Sequence, residues 1–110
     1  MDTKKALSAL RALSHETRLE VFRLLIRVSP DPMAAGDIAD RLGVVQNTMS
    51  SHLSELTRAG LITGTRDGRS IGYKANHTAI RELLVFLMRD CCQGDAGICA
   101  PLFELVECGC

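Results

Sequence analysis

Apolar residues recur at helical steps along most of this chain, and the steps break at glycine and proline. Leu7, Leu10 and Leu13 fall three apart between Lys4 and Leu13, which puts one apolar stripe on a short helix. Ser14 can cap the helix that follows, with Glu16 in its first turn near the positive end of the dipole. Leu19, Phe22 and Ile26, flanked by Val21 and Leu25, give this second helix a broad apolar face that reads as core. Pro30 and Pro32 end it, because proline cannot continue the hydrogen-bond ladder and disfavours helix in the residue before it.

Met33 to Ala35 reads as a short approach to the next pair of elements. Ile38, Ala39 and Leu42 sit at i, i+1 and i+4 of a short helix ending at Gly43, and Met49, Leu53 and Leu56 repeat at i, i+4 and i+7 of another. Two helices joined by a tight glycine-bearing connection make a helix-turn-helix. The second of them closes at Gly60, a residue free to adopt the left-handed conformation just past a helix end. Leu61 to Lys74 then carries Asp67-Gly68 at its middle, which predicts a β-hairpin with a two-residue turn. A hairpin directly after a helix-turn-helix is a wing, and Arg66 and Arg69 lie at its tip.

Asn76 or Thr78 can cap a last helix whose apolar stripe is Ile80, Leu83, Leu84, Leu87, Met88 and Cys91. The earlier helices already fill the core of so small a unit, so this stripe and the Leu7/Leu10 helix predict a dimer interface. The expected fold is mainly α with a small β-hairpin, a homodimeric winged helix-turn-helix in the order ααααββα. Residues 1–90 form the DNA-binding and dimerisation domain, and 91–110 a cysteine-rich effector-binding tail.

The chain has 110 residues, 46% of them apolar, which suits one domain helped by dimerisation. It lacks an apolar run long enough to span a membrane and a basic-then-apolar leader, so no membrane role and a cytoplasmic location are expected. A net charge of zero would argue against nucleic acid, but the charges are segregated. From Arg41 to Lys74 five basic residues face two acidic ones, whereas from Asp90 to the end there are four acidic residues and no basic ones. No cofactor fingerprint, nucleotide loop or nearby cysteine-histidine pair points to an enzyme.

Four ordered segments resemble the winged-helix repressors of the ArsR/SmtB family: Ala12 to Leu19, Asp37 to Gly43, Thr48 to Leu56 and Ala59 to Leu61. With the wing, the resemblance covers about Ala6 to Lys74. Val45 stands where Ser or Thr commonly caps the recognition helix, and Ser51 where a basic residue often meets phosphate. The resemblance implies a metalloregulatory repressor of double-stranded operator DNA. Some arsenic-responsive members carry thiols on the first helix of the helix-turn-helix, and Asp37 to Leu42 has none; the zinc site of others uses histidine on the last helix, and Ile80 to Asp90 has none.

All five cysteines lie after residue 90. Such a cluster in a reduced compartment binds a soft metal or senses redox state more often than it forms a disulfide framework. Cys91 and Cys92 are adjacent, and a glycine-bearing segment can bring Cys99 back over them. Three thiolates suit a pyramidal centre such as trivalent arsenic, with antimony as second candidate. Tetrahedral zinc or cadmium would want a fourth ligand, for which Cys108 or Cys110 is available as accessory. The resemblance also points to an arsenic-responsive member with a Cys-Cys pair and a later Cys beyond the last helix. A zinc-, cadmium- or lead-responsive repressor, or a thiol-redox switch, is the alternative. On the DNA side, Gln46, Asn47, Thr48, Ser50 and Ser51 occupy the turns that reach base edges, with Asn47 or Thr48 the best placed to cap instead. His52 either meets phosphate or packs half-buried, and Arg66 and Arg69 address phosphate or the minor groove.

Overall fold

The computed structural model describes residues 1–89. Its first helix, α1 (Thr3–Leu13), starts at Asp2, whose carboxylate accepts from the Lys5 N–H at 2.8 Å. Within the protomer α1 packs through alanine: Ala6, Ala9 and Ala12 are buried, while Leu7 and Leu10 stand in solvent. Small side chains let the helix backbone approach its neighbours closely, so Leu7 and Leu10 face away from the core, while Leu13 at the helix end is half-buried against it.

The second helix, α2 (Glu16–Val28), is capped by His15 and not by Ser14. His15 Nδ1 accepts from the Thr17 N–H at 3.2 Å, whereas Ser14 closes α1, its N–H and hydroxyl both donating to the Arg11 carbonyl. Arg18 Nε ties the two helices together by donating to the Ala12 carbonyl at 2.7 Å. Val21, Phe22, Leu24 and Leu25 form the buried face of α2; Leu19, expected there, is exposed.

Helices α3 (Ala35–Leu42) and α4 (Gln46–Arg58) form the helix-turn-helix. Gly43 takes φ 65° between them, the left-handed conformation the turn requires. Ile38 and Ala39 of α3 join Met49, Leu53 and Leu56 of α4 in one buried cluster. The end of α4 is tied off when the Leu61 N–H reaches back to the Leu56 carbonyl at 3.1 Å across Gly60, itself at φ 81°.

Three antiparallel strands follow the order β1-β3-β2: β1 (Met33–Ala34), β2 (Ile62–Asp67) and β3 (Ser70–Ala75). The element order is therefore ααβααββα, with one strand more than the pattern implied. Asp67 pairs with Ser70, so the hairpin loop is Gly68-Arg69, shifted by one residue from the expected Asp67-Gly68. Helix α5 (His77–Met88) starts at Asn76, which accepts from the Ala79 N–H through its side-chain oxygen and donates through its side-chain nitrogen to the Gly60 carbonyl at 2.9 Å. Leu83 is buried against the core, while Leu84, Val85 and Leu87 are exposed. No helix among the described residues is long and apolar enough to cross a membrane.

Candidate nucleic-acid interface

Because Met49, Leu53 and Leu56 turn inward, the opposite side of α4 must turn outward. Gln46, Asn47, Thr48, Ser50 and Ser51 are all exposed, as their expected role requires. None of them caps the helix: α4 begins at Val45 with no side-chain cap, so Asn47 and Thr48 are free to face a partner. The first N–H groups of α4 and these short polar side chains form a neutral surface rich in donors and acceptors, the kind that reads base edges.

The wing flanks that surface on one side. Gln46 and Ser50 of α4 share a crevice of about 290 Å³ with Arg69 and Ser70 of the hairpin. Arg66 and Arg69 are both exposed near the hairpin tip. Arg58, by contrast, is held in an i,i+3 ion pair with Glu55 at 3.0 Å, so its charge is partly spent within the protein. Arg69 thus brings a positive charge to the crevice beside this surface of α4, and Arg66 lies on the same hairpin near its tip.

Histidines flank the other side. His52, half-buried on α4, sits with its ring centroid 4.5 Å from that of His15 at the start of α2, the planes tilted by 45°. Burial lowers the His52 pKa below its ordinary value, and the neighbouring charges of His15 and Arg18 lower it further. Neutral imidazole at position 52 is therefore favoured. The packed and DNA-facing readings of His52 are compatible, since its ring lies at the rim of the exposed surface. His15 was not among the expected site residues; the only sign of it in the chain is its place one residue before the acidic first turn of α2.

The structure thus brings Gln46, Asn47, Thr48, Ser50, Ser51 and His52 onto one helix, with Arg69 of the wing beside it and Arg66 on the same hairpin. Cys91, Cys92 and Cys99, with the accessory Cys108 and Cys110, lie outside the described residues.

Known proteins resemble this chain in sequence and in fold. A family described as a helix-turn-helix domain matches residues 13–65. An ArsR-like transcriptional regulator from Rhodococcus sp. RHA1 superimposes with a TM-score of 0.73 at 31% identity, over 88% of this chain and 89% of that one. The transcriptional repressor SdpR of Bacillus subtilis is 31% identical over 77% of this chain and 91% of its own length. The transcriptional activator HlyU of Vibrio cholerae is 27% identical over 86% of this chain and 84% of its own.

Proposed function

Because this chain belongs to the ArsR/SmtB family of winged-helix transcriptional regulators, we propose that it is an arsenic-responsive repressor, binding operator DNA as a homodimer. Trivalent arsenic, or antimony, on the C-terminal cysteines releases the DNA. The observation that carries the DNA half of this reading is the exposed polar row Gln46 to Ser51 with the wing arginines beside it. A single reading helix per protomer fits a dimer on an imperfect inverted repeat, one helix in each successive major groove. The exposed Leu7, Leu10, Leu84, Val85 and Leu87 support the dimer, because together they would leave a large apolar surface in water on a lone protomer.

The effector half rests on the donor set. Cys91, Cys92 and Cys99 offer soft sulfur ligands and no competing hard ones within that set. Each thiol passes its proton to a hydroxide of arsenous acid, so an As–S bond replaces each As–O bond and water leaves. Drawing Cys99 to the Cys91-Cys92 pair constrains the chain immediately after α5, the helix assigned to the dimer interface. A shift there changes the spacing of the two reading helices. About 1–3 kcal/mol of negative coupling suffices for a several-fold to hundredfold loss of operator affinity, and linkage demands that DNA weaken arsenic binding by the same factor.

The test is operator release titrated with arsenite, antimonite, zinc, cadmium and peroxide in turn. Cys91→Ser, Cys92→Ser and Cys99→Ser should each still bind the operator and fail to leave it with arsenite, while Cys108→Ser and Cys110→Ser behave like the parent. A Cys99→Ser protein that responds normally to arsenite refutes the three-thiol site. Release by peroxide alone, with a disulfide seen by mass spectrometry, selects the redox alternative.

A further inference from the structure

The hairpin does not lie flat on the reading helix. Alternation along paired strands puts Gly64 and Arg66 of β2 on one face with Ile71 and Tyr73 of β3, the face that also carries the buried Ile62. Two crevices separate this face from α4: the one of about 290 Å³ beside Gln46 and Ser50, and another of about 380 Å³ beside Ser54 and Thr57. Ile71 and Tyr73 line both, so they form the partition that spans the gap between wing and helix.

Tyr73 is seated there by its neighbours. It pairs with Gly64 on one side and Met33 on the other, so its backbone is held in the middle of the sheet. A Cβ on Gly64 would come within 2.9 Å of Ile71 Cγ2 and 3.1 Å of Tyr73 Cε1, which means that these side chains already fill the space over the glycine. On the opposite face, Pro32 closes over Gly72, where an added Cβ would lie 2.9 Å from the Pro32 Cβ. The hairpin is therefore gripped on both faces at its middle, and the last pairs towards the tip project beyond the grip. A two-stranded ribbon alone is marginally stable in water and free to twist. What holds the tip in place is the grip.

Resting on the DNA-binding reading above, we propose that Tyr73, seated on Gly64 with Ile71, is a positioning residue that sets the angle of the wing to α4 and so delivers Arg66 and Arg69 to the DNA backbone. Its ring acts as a strut. Its hydroxyl is not required.

The experiment is a mutant cycle on the full chain, read as the salt dependence of binding to a duplex of random sequence. Arg66→Ala with Arg69→Ala should make the slope of log K against log salt shallower by about two, roughly 0.9 for each lost phosphate contact. Tyr73→Ala should make it shallower in the same sense, and adding Tyr73→Ala to the double arginine variant should change nothing more. Tyr73→Phe should keep the parental slope. Gly64→Ala, which pushes the ring aside without removing it, should give the Tyr73→Ala result and serves where Tyr73→Ala does not fold, as judged by circular dichroism. A full further loss on adding Tyr73→Ala, or a Tyr73→Phe slope as low as that of Tyr73→Ala, overturns the strut while leaving the wing reading intact. An unchanged slope in the double arginine variant overturns the wing reading and the strut together.

Discussion

Removing two leucines from α5 tests the dimer at the point where it is most exposed to failure. Leu84 is 53% and Leu87 48% exposed in the protomer, so about half of each side chain remains to be covered by a partner. Burying a leucine fully is worth roughly 1.5–3 kcal/mol, and covering the exposed half roughly 1 kcal/mol. Two such residues on each of two protomers bring the total to roughly 4 kcal/mol. Alanine keeps the Cβ, so Leu84→Ala with Leu87→Ala should weaken the dimer by roughly a hundred- to thousandfold, at about 1.4 kcal/mol per factor of ten. Sedimentation equilibrium from nanomolar to micromolar concentration reads this directly. The same variant should lose affinity for an inverted repeat far more than for an isolated half-site. The protomer itself should keep most of its stability at high dilution, because neither side chain is buried in it. A dissociation constant within threefold of the parent's would refute the assignment of α5 to the interface, and a large fall in protomer stability would show that these leucines pack inward.

Two further predictions concern the scaffold. His52 is held neutral by burial first and then by the charges of His15 and Arg18, so its folded pKa lies below its unfolded value of about 6.5. The stability it contributes is present above that unfolded value and is lost as pH falls towards the folded one. The urea midpoint should therefore drop between about pH 7.5 and about pH 5.5 by more in the parent than in His52→Gln, and equal drops would refute the linkage. Asn76→Ala removes both the cap of α5 and the bond to the Gly60 carbonyl, and should cost roughly 1–3 kcal/mol in chemical denaturation. Asn76→Asp keeps the cap oxygen without the donor, so it should fall between Asn76→Ala and the parent.

The helices could be read from the chain because a 3.6-residue period with glycine or proline at its ends is a local signal. Met49, Leu53 and Leu56 specify the inward face of α4 by spacing alone, and with it the exposed outward row. Gly43 and Gly60 mark turns that only a left-handed residue makes without strain, and Asn76 marks the start of α5. The wing was legible from the Asp67-Gly68 turn signal directly after the helix-turn-helix.

Tertiary structure decided what periodicity does not encode, namely which neighbour each face meets. In α1 both the alanine row and the leucine row recur at helical steps. Close packing within the protomer selected the alanines, which leaves Leu7 and Leu10 for another surface. The strand Met33–Ala34 is too short to have a pattern of its own and exists because β3 offers it hydrogen-bond partners. Ser14 and His15 are both able to cap; the geometry at the end of α1 took the serine hydroxyl for the Arg11 carbonyl and left the imidazole for α2. The hairpin loop fell on Gly68-Arg69 because β2 pairs with β3 at six positions, with Tyr73 seated over Gly64, and a turn residue's preference yields to that many contacts. Local preference chose the elements. Burial and pairing across the chain, which no short stretch of sequence contains, chose how they face one another.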